Sequence, residues 1–126
     1  MAVLNDASKT YPLDTDRIYL DGHSSGAVFA MQRANLWVGP WRGVAVHSRH
    51  STALRVLPAW NPVPVHAFSG DADTVFSFAG HRRTLQAPAR AGHTASLTVL
   101  PDYTHWNYDV GARLAPLMWR ALQRRS

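Results

Sequence analysis

The sequence predicts an α/β fold in which a mostly parallel sheet of about four strands is flanked by helices. Short, unbroken apolar runs recur along the chain, as strands buried on both faces require. Segments of helical periodicity separate them and supply the crossovers that parallel strands need. The scale fits as well. With 126 residues, 46% hydrophobic and 17% charged, the chain suits one domain over residues 1–126 that hides about two-thirds of its unfolded surface.

Arg17-Ile18-Tyr19-Leu20 reads as the first strand, rich in β-formers and stopped by Asp21-Gly22. Ser24 to Leu36 follows as a helix, with Ala27, Val28, Ala30, Met31 and Ala34 at mostly helical spacing ahead of Gly39-Pro40. Gly43 to His47 is the second strand, and Val63 to Phe68, with Pro64 near its start, is the third. Leu97 to Leu100 is the fourth. Before it, Phe78 to Ala91 holds a helix that Gly80 and Pro88 weaken. The last helix shows one apolar stripe, Val110, Leu114, Leu117, Met118, Ala121 and Leu122, with Arg120, Arg124 and Arg125 complementing its macrodipole. Pro116 is expected in its first turn. The stretch Arg49 to Pro62, with Pro58 inside it, has no element of its own and is expected as a loop, part of a lid.

Composition excludes several chemistries. Without cysteine there is no disulfide framework, thiolate metal site or cysteine nucleophile. No apolar run reaches membrane-span length, and Met1 to Asp6 lacks the regions of a signal peptide. A soluble, cytoplasmic chain without a membrane partner is expected. The net charge of +5 raises a nucleic-acid reading. However, the arginines are scattered singly or in short pairs and Lys9 is the sole lysine, so a solvated surface and no nucleic-acid partner are expected. His47, His50 and His66 lack ligand spacing and a carboxylate, so no metal and no cofactor are expected.

The chemical signal is Gly22-His23-Ser24-Ser25-Gly26, a G-x-S-x-G pentapeptide between the first strand and its helix. In such a turn the serine takes a strained backbone, the glycines let strand and helix pass closely, and the hydroxyl is thrust out at the strand's end. The helix start at Ser25 offers an N–H and a positive dipole end to a developing oxyanion. A serine hydroxyl needs a base, and the base needs an orienting carboxylate. Asp71 and Asp73 follow the third strand, and His105 follows the fourth. All lie just past carboxyl ends of strands, the rim where open α/β sheets place their sites.

The order Ser, Asp, His is that of an α/β-hydrolase, and the chain resembles the carboxyl-terminal half of one. It is nearest the polyhydroxybutyrate depolymerase and feruloyl esterase group of serine esterases. Three motifs carry the likeness: Tyr11 to Leu20 running into Gly22-His23-Ser24-Ser25-Gly26, then Val65 to Asp73, then Thr104-His105-Trp106. They spread over nearly the whole chain but only about the latter half of a usual member. The resemblance implies Ser24 as nucleophile, His105 as general base and Asp73 as triad acid, the family's G-x-x-D spacing favouring Asp73 over Asp71. It implies hydrolysis of a small-molecule carboxylic ester through an acyl-enzyme, with the Ser25 N–H in the oxyanion hole.

Phe76 and Trp106 adjoin Asp73 and His105 and are expected to contact substrate, whereas Trp37, Trp41, Trp60 and Phe78 are expected to pack. His23 is expected at most to support the site. Ala27 departs from the family, which often has a second glycine there. The strands before the nucleophile strand, and the loop that donates the other oxyanion N–H, have no counterpart in the sequence. Losing one such donor costs on the order of 100- to 1,000-fold in rate. The open edge of the first strand is therefore expected to be covered in a homo-oligomer. The alternative is a weak or inactive hydrolase fragment that acts as a self-association module.

Overall fold

The computed structural model describes residues 2–36, 39–48 and 62–124. Four strands, β1 (Ile18–His23), β2 (Trp41–His47), β3 (Val65–Gly70) and β4 (Ala95–Leu100), pair in parallel in the order β1-β2-β3-β4. Around them stand α1 (Ala2–Thr10), α2 (Ser25–Leu36), α3 (Phe78–Arg90) and α4 (Asn107–Gln123). All four carboxyl ends thus share one rim.

Crossovers between parallel strands are right-handed, so two that advance in the same direction put their helices on the same face. Accordingly, Ala27, Ala30, Met31 and Ala34 of α2 join Leu85 of α3 over Val44, Val46, Val65 and Ala67. The alanines let α2 lie close to the sheet. The opposite face belongs to α4, whose Leu114, Met118 and Leu122 meet Ala45, Phe68, Leu100 and Tyr103. Val44, Ala45 and Val46 of β2 are all buried because both faces are covered. Among the described residues β1 has a strand on one side only, and none of its residues is fully buried.

The structure departs from the sequence reading in several places. β1 does not stop at Leu20: Asp21 and Gly22 stay paired with Ala45 and Val46, so ladder formation overrides two residues disfavoured in strands. α1 is unmarked in the sequence reading because it buries no side chain. Pro116 is not in a first turn but inside α4, which starts at Asn107. The ring is exposed there, and apolar residues packed on either side of it hold the helix together. Finally, β3 starts after Pro64 and runs on to Gly70. The expected lid, with His50 and Trp60, lies almost wholly outside the described residues, as do Trp37 and Arg125.

Candidate active site

Ser24 stands between the last residue of β1 and the first of α2, with φ at 51°. Its N–H donates to the His47 carbonyl at 3.1 Å, extending the β1–β2 ladder by one residue. Its own carbonyl accepts from Ala27 and Val28 at 3.1 and 3.2 Å, which starts the helix. The chain turns from strand to helix within that one residue, and the left-handed φ is the cost. The two glycines of the pentapeptide are not equivalent. A Cβ on Gly22 would lie 2.5 Å from the Gly26 oxygen and 2.7 Å from the Ala27 nitrogen, whereas a Cβ on Gly26 would meet nothing within 4 Å. Close passage thus depends on Gly22 alone, a correction to the expectation that both glycines serve it. Ser25 opens α2, where first-turn amides have no intrahelical acceptor and the dipole is positive.

Beyond β3, Asp73 Oδ1 accepts the N–H groups of Val75 and Phe76 at 2.8 and 2.9 Å. Its Oδ2 lies 3.2 Å from His105 Nδ1, the two side chains being 0% and 6% exposed. Burial pushes the Asp73 carboxyl up, but hydrogen bonds from Phe76, Val75, His105 and Ser48 outweigh it and hold it below its ordinary value. Asp71 has a different task. It is exposed, and its Oδ1 accepts the Asp102 N–H at 2.7 Å, bracing the turn after β4. Backbone bonds from Asp71 to Leu100 and from Ala72 to Tyr103 lace the two loops together. Asp73, not Asp71, therefore faces the histidine.

The His105 ring sits 5.2 Å, centre to centre, from each of the rings of His23, Phe76 and Trp106. Phe76 is half-buried and Trp106 half-exposed, so one side of this cage opens to solvent. With Nδ1 engaged by Asp73, Nε2 is the nitrogen left for proton transfer. Among the described residues no hydrogen bond joins the Ser24 hydroxyl to His105; the imidazole reaches the elbow through His23, the residue before Ser24.

Sequence reasoning missed a second set of polar groups on this rim. His23 Nδ1 is 3.2 Å from His47 Nδ1, with the rings stacked, and His47 Nε2 is 2.9 Å from Ser48 Oγ. Ser48 is fully buried, has φ at 52° and helps hold the Asp73 carboxyl below its ordinary value. Burial first, then the neighbouring His23, lowers the His47 pKa to about 4, and burial also lowers that of His23. The available signal was positional: His47-Ser48 ends the second strand just as Ser24 ends the first. His66 lies apart near the start of β3, hydrogen-bonded to Ser96 at 2.9 Å. Ser24, Ser48 and Asp102 are the described non-glycine residues with positive φ, and each follows a strand's carboxyl end. Below His23 and His47 lies a cavity of about 330 Å³, bounded also by Asp21, Gly22 and the α4 residues Gly111, Leu114, Ala115 and Met118.

No protein-family model matches the chain, and no curated protein sequence does. Solved structures do match. SOBER1 of Arabidopsis thaliana aligns with 97% of the chain at a TM-score of 0.71 and 16% identity. The carboxylesterase of Bacillus cereus aligns with 94% at 0.69 and 17% identity, and esterase PE8 with 96% at 0.68 and 24% identity. The matched regions are 60%, 56% and 57% of those three chains, so this chain spans under two-thirds of their length. The likeness shows the fold as α/β-hydrolase-like, with four parallel strands flanked by helices among the described residues. No helix among the described residues is long and apolar enough to cross a membrane.

Proposed function

We propose that the chain carries the catalytic machinery of a serine esterase, of the polyhydroxybutyrate depolymerase and feruloyl esterase group, which cleaves small carboxylic esters through an acyl-enzyme. The observation that supports this most is the buried Asp73–His105 pair on the same rim as a serine with left-handed backbone at a helix start. His105 Nε2 takes the Ser24 proton as Oγ attacks the ester carbonyl carbon. The tetrahedral oxyanion is met by the Ser25 N–H and the positive end of α2. Collapse breaks the bond to the alcohol oxygen, which leaves with the proton from His105. Water then attacks the acyl-serine in the same way, releasing the acid and restoring the Ser24 hydroxyl. Throughout, Asp73 keeps the imidazole proton on Nδ1. Phe76 and Trp106 offer apolar walls to the acyl or alcohol group. A fluorophosphonate probe tests the reading: covalent label at Ser24 supports it, and full ester turnover by Ser24→Ala refutes it.

A second reading, a self-association module without useful catalysis, draws on β1 having, among the described residues, a strand neighbour on one side only. In that reading a second copy covers the free edge. Well-folded protein that takes no label at Ser24 yet sediments above monomer mass would favour it.

A further inference from the structure

We propose that the groove between β1 and α4 binds an organic ammonium group, held by the Asp21 carboxylate and the rings of Tyr19 and Trp119. The groove thereby names a substrate class for the Ser24 site, an ester with a cationic amine remote from its carbonyl; this clause rests on the esterase reading.

The period of two along a strand puts Tyr19, Asp21 and His23 on one face of β1, at successive spacings of roughly 7 Å. That face is turned to α4. Tyr19 packs against the cluster that α4 makes with the sheet, and its ring meets Trp119 edge to face at 5.7 Å. Two cavities lie between strand and helix. The lower, of about 550 Å³, is lined by Tyr19, Asp21 and Trp119; the upper, of about 330 Å³, reaches Gly22 and His23 at the catalytic rim. Asp21, Ala115 and Met118 bound both. The cavities therefore adjoin at Asp21 and run as one groove up to the residue before Ser24.

This groove is negative on a chain whose net charge is +5. Among the described residues that bound it, Arg17 is the one guanidinium, and it already stands 4.0 Å from Asp14. His23 and His47 are neutral at pH 7.5, since both have pKa values lowered from 6.5. Asp21 has no ion pair among the described residues. Burial pushes its carboxyl above the ordinary value, as befits a charge that loses water without gaining a counter-charge. A cation seated beside it offsets that penalty.

The walls select the kind of cation. Tyr19 and Trp119 stand at 84° to one another, and Trp119 is 50% exposed, so the pair forms two adjoining aromatic walls with surface left open. Leu4, Leu13 and Leu122 help to line the rest of the lower cavity. Aromatic faces attract a cation through the ring quadrupole, and alkyl groups on the nitrogen suit apolar walls. A hydrated metal ion gains little by comparison. One carboxylate does not chelate it, and no group of three metal-binding side chains occurs among the described residues.

The binding test needs no turnover. Choline and its neutral carbon isostere, with a tert-butyl group in place of trimethylammonium, are titrated into the full chain at pH 7.5. Proton–nitrogen NMR follows the Trp119 indole and the Gly22 amide. Choline is expected to shift both signals and to bind about five- to tenfold more tightly than the isostere. Asp21→Asn keeps the side-chain shape and should cut that preference about three- to fivefold. Trp119→Leu, read at the Gly22 amide, should cut it about two- to fivefold. A merely structural defect would weaken both ligands alike. Equal binding of the two by the parent protein overturns the proposal, as does full preference in both variants. A dimer on sedimentation in which neither ligand moves these signals also overturns it, and assigns the groove to an interface between copies.

The substrate clause is read from kcat/KM on paired acetate esters of straight-chain alcohols that end in trimethylammonium or in tert-butyl, with spacers of increasing length. A preference for the charged ester that Asp21→Asn removes supports it, and equal turnover of each pair overturns it. Folded protein that hydrolyses neither ester and takes no fluorophosphonate at Ser24 refutes the esterase reading instead, while the choline titration still decides the ammonium site.

Discussion

Gly70, the last residue of β3, lies flush against the backbone of Tyr103: a Cβ at position 70 would overlap the Tyr103 carbonyl oxygen. The same oxygen accepts the Ala72 N–H at 3.1 Å. This contact fastens the loop that carries Asp73 to the loop that carries His105. Gly70→Ala is expected to force the loops apart. Backbone cannot swing aside as a side-chain tip can, so the loss should reach or exceed the roughly 1 to 3 kcal/mol of ordinary overpacking. Urea titration measures that loss, and turnover of a p-nitrophenyl ester per folded molecule should fall with it.

The pentapeptide glycines should respond in opposite ways. Gly22→Ala puts a methyl 2.5 Å from the Gly26 oxygen and should destabilise by about 1 to 3 kcal/mol or more. Gly26→Ala enters open space inside α2 and should stabilise by up to about 1 kcal/mol, since alanine outranks glycine in helices. Melting temperatures of the two variants decide the point; a Gly22→Ala protein as stable as Gly26→Ala would contradict the close contact of strand and helix.

Asp73 and Asp71 are separated by a single residue but should differ greatly in effect. Asp73→Asn removes the charge facing His105 Nδ1 and is expected to lower kcat on the order of 1,000- to 10,000-fold. Asp71→Asn weakens an exposed brace on Asp102 and should cost about 1 kcal/mol of stability at most, with kcat within a few-fold. Steady-state kinetics on the two variants separates the roles.

Stability should fall on acidification as the buried histidines take up protons. His47 is 1% exposed, and its pKa is lowered from 6.5 to about 4 in the folded chain. Between those values the unfolded chain binds the extra proton, so stability rises with pH and the full contribution is present above 6.5. On going down to pH 4 the expected loss is about 3 kcal/mol. His23, lowered in the same sense, acts in the same direction. Asp73, lowered from 3.8, adds its own loss only below that value. Urea midpoints at pH 7.5, 6 and 4.5 measure the slope, and His47→Gln should flatten it.

The alternation of strands and helices was legible because each element advertises itself locally. Val44 to Val46 is a bare apolar run, and Leu114, Met118 and Leu122 repeat at helical spacing. The end of β1 was not legible, because Asp21 and Gly22 are turn residues by type and strand residues only through their pairing with β2. Nor was α1, none of whose side chains is fully buried, so that it imposes no pattern. For the candidate site, the spacing of Ser24, Asp73 and His105 at strand ends was visible in the chain. The link from His23 to His47 was not, since it joins residues 24 positions apart through tertiary contact. The positive φ of Ser48 likewise has no signature in residue type.

Ser24, Ser48 and Asp102 each hold a backbone conformation in which glycine would rest more easily. Laboratory evolution that rewards heat survival alone will therefore gather glycines at these three points, each bringing a gain in melting temperature and, at 24 and 48, the removal of a hydroxyl from the site. Breeding a hardier form of this scaffold calls for selection on chemistry and endurance together, because along this rim the two pull the sequence in opposite directions.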